Sequence, residues 1–256
     1  MTLIDTHCHL CHGRLRTQAD AALDRAHQAG VTGVICAAAD LAESTAAAGL
    51  AASREGVWCI AGVHPHEAKD VPADYLARVE SLAAHPRNVA VGEIGLDYHY
   101  NYSPPDAQRR VFAEQLALAA RLGKRVVVHT REAFADTLAV LGDSPLAAAD
   151  VVLHSCTAPP DDVARAVELG ATISFSGIVT FARADELRAA AALVPDDRIL
   201  VETDAPFLSP EPVRKMKTNE PANVAHVAAC LARVRGTTAG HIAELTTANA
   251  RRFFAL

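Results

Sequence analysis

Short apolar runs rich in β-branched residues recur eight times along the 256 residues, and helical patterns of apolar residues lie between them. Runs this short and this continuously apolar are typical of parallel strands that are covered on both faces. The predicted strands span residues 3–5, 33–37, 57–63, 89–94, 125–129, 151–154, 171–175 and 199–203.

The clearest helical pattern begins at Pro105, ends at Gly123 and places Phe112, Leu116 and Ala119 on one face. Further patterns cover 19–30, 76–83, 134–141, 163–170, a weaker stretch around 187, 224–234 and 238–254. Eight strands alternating with about eight helices predict an α/β protein, a (β/α)₈ TIM barrel formed as one domain over residues 1–256. A doubly wound open sheet would need a glycine-rich phosphate turn after an early strand, and the sequence contains none.

Histidines and carboxylates stand where the predicted strands end. In a barrel, side chains at the carboxyl ends of the strands converge on one mouth, where active sites lie. A single histidine after a strand is usually a hydrogen-bonded structural residue, but ligand-type residues at the same end of six strands favour a metal site. These residues are His7, His9, His64, His66, Glu93, His129, His154 and Asp204.

The first of two predicted ions lies between His7, His9 and Asp204. Residues two apart on an extended strand face the same way, so both imidazoles can point at one ion while Cys8 points toward the helices. Asp204, after the eighth strand, is placed to complete this site.

The second predicted ion is shared by His129 and His154, which follow neighbouring strands. Glu93 lies between the two sites, and its two carboxylate oxygens can bridge two ions. Mixed imidazole and carboxylate ligands suit Zn²⁺, Mn²⁺, Fe²⁺ or Co²⁺, whereas a site for Mg²⁺ alone usually has fewer histidines. Two such ions about 3.5–4 Å apart would activate water and stabilise a leaving oxygen, as in many phosphoesterases.

Several sequence blocks resemble the TatD family of metal-dependent hydrolases. In chain order they read LIDTHCHL (3–10), GVHPH (62–66), GEIGLDY (92–98), VHTREA (128–133), SFSGIVTF (174–181), LVETDAPFL (200–208) and NEP (219–221). The resemblance covers nearly the whole chain. It implies a TIM barrel, two divalent ions (Zn, Mn, Mg, Fe or Co) and deoxyribonuclease-type activity, with 3′→5′ exonuclease action known for some relatives. The metal ligands that it implies are His7, His9, Glu93, His129, His154 and Asp204.

In this hypothesis Asp204 accepts a proton from the attacking water, and Glu93 holds the ions together. Four residues are predicted to contact the substrate: His64, Arg131, Arg214 and Lys217. A net charge of −6 excludes a histone-like binder of long duplex and favours single-stranded DNA or DNA ends. Arg131 has an alternative role, an ion pair with Glu132 or Glu202.

The sequence leaves the substrate open, because the same activated water can attack a carbonyl. The alternatives are a small-molecule amidohydrolase, lactonase or esterase, or an acyl-tRNA deacylase. A non-catalytic metal-binding protein is disfavoured, since such sites are usually closed by four protein ligands. Six cysteines are too few for a disulfide scaffold of this length, and no signal-peptide pattern is present, so we predict a cytoplasmic protein. No apolar run reaches about 18 residues, so we predict no membrane span. We also predict no obligate protein partner.

Overall fold

The structure, a computed structural model, describes residues 2–256. Eight parallel strands form one sheet in which each strand pairs with the next along the chain. They are β1 (Leu3–Cys8), β2 (Val31–Cys36), β3 (Val57–Ala61), β4 (Asn88–Asp97), β5 (Arg125–Arg131), β6 (Val151–Leu153), β7 (Thr172–Phe175) and β8 (Ile199–Val201). A parallel bridge between Cys8 and Ala205 joins the two edges of the sheet. The predicted (β/α)₈ barrel is confirmed.

Nine α-helices lie within residues 2–256 and connect or follow the strands. They are α1 (Ala19–Gln28), α2 (Leu41–Ser53), α3 (Tyr75–Ala83), α4 (Pro105–Leu122), α5 (Phe134–Asp143), α6 (Pro160–Leu169), α7 (Asp185–Leu193), α8 (Val224–Val234) and α9 (Ala239–Phe254). None of these nine helices has both the length and the apolar character that a membrane crossing requires.

Helix α2 is absent from the sequence-based expectation. Its buried side chains are Leu41, Ser44 and three alanines, while its exposed face also carries alanines. The apolar contrast between the two faces is therefore small, and amphipathic periodicity gives little signal. The one clear local signal is Asp40, whose carboxylate accepts a hydrogen bond from the Glu43 N–H at 2.8 Å and caps the helix.

Three strands are longer at their carboxyl ends than predicted. β1 runs on to Cys8, β4 to Asp97 and β5 to Arg131. Sheet pairing is a backbone interaction, so polar residues at the mouth stay in the ladder although they interrupt the apolar pattern. These extensions hold site residues on strand backbone rather than on loops, which fixes their positions more tightly.

Two apolar layers fill the structure. The larger one lies between the outer faces of the strands and the helices. The smaller one fills the barrel interior with inward-facing residues and is closed by Phe253 and Phe254 of α9. Its strand residues are Ile4, Ile35, Ile60, Ala90, Val127, Val152 and Leu200, and Ala37 joins them just after β2. The barrel is thus a packed core and not a pore.

Candidate metal centre

The carboxylate of Glu93 stands at the middle of the barrel mouth and is almost fully buried. Its Oε2 lies 3.3 Å from His7 Nε2 and 3.4 Å from His9 Nε2. Its Oε1 lies 2.8 Å from His154 Nε2 and 2.9 Å from His129 Nδ1. Each oxygen of this one carboxylate therefore faces a different pair of imidazoles.

Asp204 joins the group on the Oε2 side. Its Oδ1 lies 3.5 Å from His9 Nε2 and 4.0 Å from His7 Nε2. Its backbone N–H donates to the His7 carbonyl at 2.9 Å, so the connection after β8 is tied directly to β1. Its φ of 54° is a left-handed conformation that aspartate adopts more readily than most residues.

His64 lies deeper in the mouth than the rim position expected of a substrate contact. Its Nε2 is 3.2 Å from Glu93 Oε1, so with His129 it forms a ligand-type group around that oxygen. Burial lowers the pKa of its imidazole to about 4, which keeps the ring neutral and able to coordinate. A substrate contact by His64 stays a prediction.

A register shift in β1 brings His7 into the mouth. Leu3 packs outward against the helices and Ile4 packs inside the barrel, so strict alternation would turn His7 outward. The pairing of β1 with β2 shifts between Asp5 and Cys8, and such bulges re-aim side chains at active sites. The Nε2 atoms of His7 and His9 lie 3.2 Å apart, whereas Cys8 is fully buried in the outer layer.

The spacing of these atoms fits divalent metal ions. Two nitrogen or oxygen ligands bound tetrahedrally to one zinc ion, each at about 2.1 Å, are about 3.4 Å apart. The separations on the Oε2 side are 3.2–4.0 Å, and those on the Oε1 side are 2.8–3.3 Å. Imidazole and carboxylate donors at this spacing suit Zn²⁺, Mn²⁺, Fe²⁺ or Co²⁺.

Opposite charges offset one another inside the cluster. Burial by itself would raise the pKa of Glu93, but the charge of His154 and hydrogen bonds from His129 and His154 outweigh it and hold this pKa well below its usual range. Burial would lower the pKa of His9, but hydrogen bonds to Asp204 and Glu93 raise it to about 10. Contact with His9 in turn lowers the pKa of Asp204 although burial opposes this, so Glu93 and Asp204 are both held ionised, which is the form that binds a cation.

Two buried carboxylates stand behind the imidazoles, and the sequence did not predict this role for either of them. Asp97 Oδ2 accepts a hydrogen bond from His129 Nε2 at 3.0 Å, and Glu202 Oε1 lies 3.1 Å from His154 Nδ1. A carboxylate in this position fixes the tautomer and the orientation of a metal-binding histidine. The available signal was their place in the GEIGLDY and LVETDAPFL blocks, where Asp97 lies four residues after Glu93 and Glu202 lies two residues before Asp204.

Gly95 lets β4 approach β5 closely beside the cluster. Its φ is 136°, and a Cβ built on it would overlap the carbonyl oxygen of His129. No other residue type adopts this conformation without strain, so the second glycine of the GEIGLDY block has a structural reason.

A Gly95→Ala variant should be less stable by about 1–3 kcal/mol, the usual cost of inserting a methyl group into a closely packed site. Because the displaced backbone carries His129, the variant should also bind less metal. Urea denaturation and metal analysis of the purified protein test this, with Gly142→Ala as control, since a Cβ there meets nothing within 4 Å. Equal stability of the Gly95 variant and the wild type would contradict it.

Arg131 lies exposed at the end of β5, with its guanidinium 4.8 Å from the centre of the Tyr100 ring. The sequence allowed an ion pair with Glu132 or Glu202, and this expectation is wrong. Glu132 pairs with His99 at 2.7 Å, and Arg131 forms no ion pair with any residue of the described chain. Its charge stays available to an anion from solution.

Arg214 and Lys217 are exposed in the long connection between β8 and α8. The Arg214 guanidinium lies 4.1 Å from the centre of the Phe181 ring, in the segment that follows β7. No hydrogen bond or ion pair within residues 2–256 links either cation to the cluster around Glu93. The structure thus brings the six predicted ligands together and leaves these two residues outside that group.

A (β/α)₈ barrel with clustered histidines and carboxylates at the carboxyl ends of its strands belongs to the class of metal-dependent hydrolases. Known proteins confirm this class. A family model described as TatD related DNase matches residues 4–255, and this chain belongs to that family.

Individual relatives match over nearly their whole length. The chain is 39% identical over 257 residues to the uncharacterized metal-dependent hydrolase YcfH of Escherichia coli K12, covering 99% of this chain and 96% of that protein. It is 38% identical over 259 residues to the 3′-5′ ssDNA/RNA exonuclease TatD of Edwardsiella piscicida, covering 99% and 100%. The crystal structure of YjjV, a TatD homolog from Escherichia coli K12, superposes with a TM-score of 0.92 at 29% identity, covering 99% and 98%.

Proposed function

We propose that this chain is a two-metal deoxyribonuclease that removes nucleotides from the 3′ end of single-stranded DNA. The observation that carries the proposal is Glu93, whose two oxygens face two separate groups of ligand atoms. Relatives that match over nearly the full chain, among them a 3′-5′ ssDNA/RNA exonuclease, support the choice of nucleic acid as substrate.

In this proposal the candidate ligands divide between two ions. His7, His9, Asp204 and Glu93 would hold one ion. His129, His154 and Glu93 would hold the other, with His64 beside them. Bound there, the ions would lower the pKa of a water molecule and stabilise negative charge on a phosphate.

Asp204 is the candidate proton acceptor because it is the more open of the two carboxylates. Its side chain is 15% exposed, whereas that of Glu93 is 3% exposed and enclosed by imidazoles. With a pKa held below its usual range by His9, despite burial, Asp204 is ionised at neutral pH and can accept a proton. Asp97 and Glu202 hold the imidazoles of His129 and His154 in place during the reaction.

The distribution of charge favours a strand end over a long duplex. The chain carries a net charge of −6, and binding of long duplex depends on many phosphate contacts. The predicted cationic contacts at the mouth are few, namely Arg131, Arg214 and Lys217. Such a site can hold a few terminal phosphates of a single strand.

The direct test strips the protein with a chelator and adds back Zn²⁺, Mn²⁺, Mg²⁺, Fe²⁺ or Co²⁺ one at a time. With a 5′-labelled single strand we expect a ladder that shortens stepwise, and with a 3′-labelled strand the immediate release of labelled mononucleotide. A matched duplex should be cut more slowly. Hydrolysis of a carboxylic ester or amide panel without cleavage of any strand would instead identify a carbonyl substrate.

Replacing Arg214 and Lys217 together with alanine should weaken binding of a single strand more than it slows the chemical step. Each phosphate contact contributes a slope of about −0.7 in the dependence of log affinity on log salt concentration, so two lost contacts should flatten that slope by about 1.4. Apparent KM measured between 50 and 200 mM salt tests this, with hydrolysis of a mononucleotide ester as the control. An unchanged KM and slope would assign both residues to the solvent-exposed surface only.

Four further features stay predictions: one domain over residues 1–256, a cytoplasmic location, two bound ions per chain, and the absence of an obligate protein partner. Metal analysis of the purified protein addresses the number of ions, and size-exclusion chromatography with light scattering addresses association. A carbonyl substrate remains the alternative that the assay above separates from DNA.

A further inference from the structure

Two tyrosines stand exposed beside the candidate metal centre, an unusual position for large aromatic side chains. Tyr100 and Tyr102 are 47% and 58% exposed, and their rings stack with centroids 5.3 Å apart at an interplanar angle of 26°. The other two tyrosines, Tyr75 and Tyr98, use their hydroxyls in hydrogen bonds to Glu114 and Asp136. No side-chain hydrogen bond of Tyr100 or Tyr102 occurs within residues 2–256.

The backbone beneath these rings is fixed by buried polar groups. The Tyr100 N–H donates to Asp97 Oδ1 at 2.8 Å. Gln108 Nε2 donates to the Asp97 and Ser103 carbonyls, and the buried Ser103 hydroxyl donates to the His66 carbonyl. The segment from 98 to 103 is therefore preorganised, and a ligand that binds its exposed rings does not have to order a loose loop.

One carboxylate connects the rings to the metal centre. While Asp97 Oδ1 holds the Tyr100 backbone, its Oδ2 accepts hydrogen bonds from His129 Nε2 and His66 Nε2, both at 3.0 Å. The His66 ring in turn meets both exposed rings edge-on, with centroids 5.6 Å from Tyr100 and 4.7 Å from Tyr102. Asp97 therefore contacts both the backbone of Tyr100 and the candidate metal ligand His129.

A cation borders the same patch. The Arg131 guanidinium lies 4.8 Å from the centre of the Tyr100 ring and has no ion-pair partner in the described chain. An aromatic surface next to a free cation is the arrangement by which proteins hold single-stranded nucleic acid, with bases on the rings and the backbone near the cation. A small amide or ester substrate would need neither.

We propose that Tyr100 and Tyr102 form a stacking platform for a nucleobase of the single-stranded substrate, with Arg131 placed for an adjacent phosphate. The proposal rests on the nuclease function proposed above and adds how that site selects a single strand. In a duplex the base faces are occupied by neighbouring bases, so only an unpaired nucleotide can stack on the platform.

The test is a double-mutant cycle between protein and DNA. The Tyr100→Ala/Tyr102→Ala variant should bind a labelled single strand about tenfold more weakly than the wild type, a typical loss when an aromatic base platform is removed. Anisotropy on the metal-free protein gives this affinity independently of activity. The Tyr100→Phe/Tyr102→Phe variant keeps the rings and loses only unbonded hydroxyls, so it should bind within about twofold of the wild type.

On the DNA side, abasic residues are placed one at a time at the three terminal positions. At one position, removing the base should lower the affinity of the wild type by about the same factor as the two alanine substitutions do. The affinity of the alanine variant should not change when that base is removed. Leu169→Ala, which removes an exposed apolar side chain at the end of α6, serves as control for surface truncation.

Equal affinity of the wild type and the alanine variant, or additive losses at all three abasic positions, would overturn the platform while leaving the nuclease function in place. Failure of the proposed nuclease function can be told apart from failure of the platform, because it would already be seen in the activity of the wild type. A metal-loaded wild type that cleaves no strand would overturn the nuclease function, and the platform with it.

Discussion

An Asp204→Asn variant should retain its metal but lose about 10²–10⁴-fold in kcat on single-stranded DNA, the usual contribution of a general base. The amide has the shape of the carboxylate and one remaining oxygen donor. It does not accept a proton from water at neutral pH. Because Asp204 contributes only one of several donors near His7 and His9, metal binding should suffer much less than turnover.

The measurement is kcat together with metal content for the same preparation, since a loss of metal would mimic a loss of base. Asp143→Asn, which neutralises an exposed carboxylate at the end of α5, is the matched control and should retain full activity. Near-normal kcat of Asp204→Asn at full metal occupancy would remove Asp204 from the reaction.

A Glu93→Gln variant should lose the metal centre itself, and activity with it. Both groups of ligand atoms are built around this carboxylate, and its negative charge is the one that the two sites share. An ion that binds only the native state stabilises it by about 2.7 kcal/mol when the free ion concentration is 100 times the Kd. Metal should therefore raise the unfolding midpoint of the wild type but not that of the variant.

Thermal unfolding with and without metal, run on chelator-stripped protein, measures this difference without an activity assay. Glu168→Gln, an exposed carboxylate change in α6, should keep the metal-dependent rise. If Glu93→Gln shows the same rise as the wild type, the ions are held elsewhere and the two-metal arrangement is wrong.

The two predictions separate binding of the ions from use of the bound water. Glu93 is expected to act on metal content and stability, and Asp204 on turnover at constant metal content. The distinction follows from burial, since Glu93 is enclosed by imidazoles and Asp204 opens toward the mouth.

The sequence by itself determined the barrel and the residues that meet at its mouth. Strand and helix periodicities are local properties of the chain, and strands joined by helices pair in parallel with their carboxyl ends together. Glu93, His129 and His154 could therefore be assigned to one site before any coordinates. Helix α2 was missed for the same local reason, because its alanine-rich sequence carries little amphipathic contrast.

Only the tertiary structure decided how far each residue reaches into the site. The register shift that turns His7 inward is a property of the pairing between β1 and β2, and alternation along one strand does not contain it. His64 lies on Glu93 rather than at the rim, and Asp97 stands behind His129, because these contacts join segments distant in sequence. Periodicity indicates on which face of its own strand or helix a residue lies. Contacts between elements depend on register, bulges and packing, and these form only when the barrel closes.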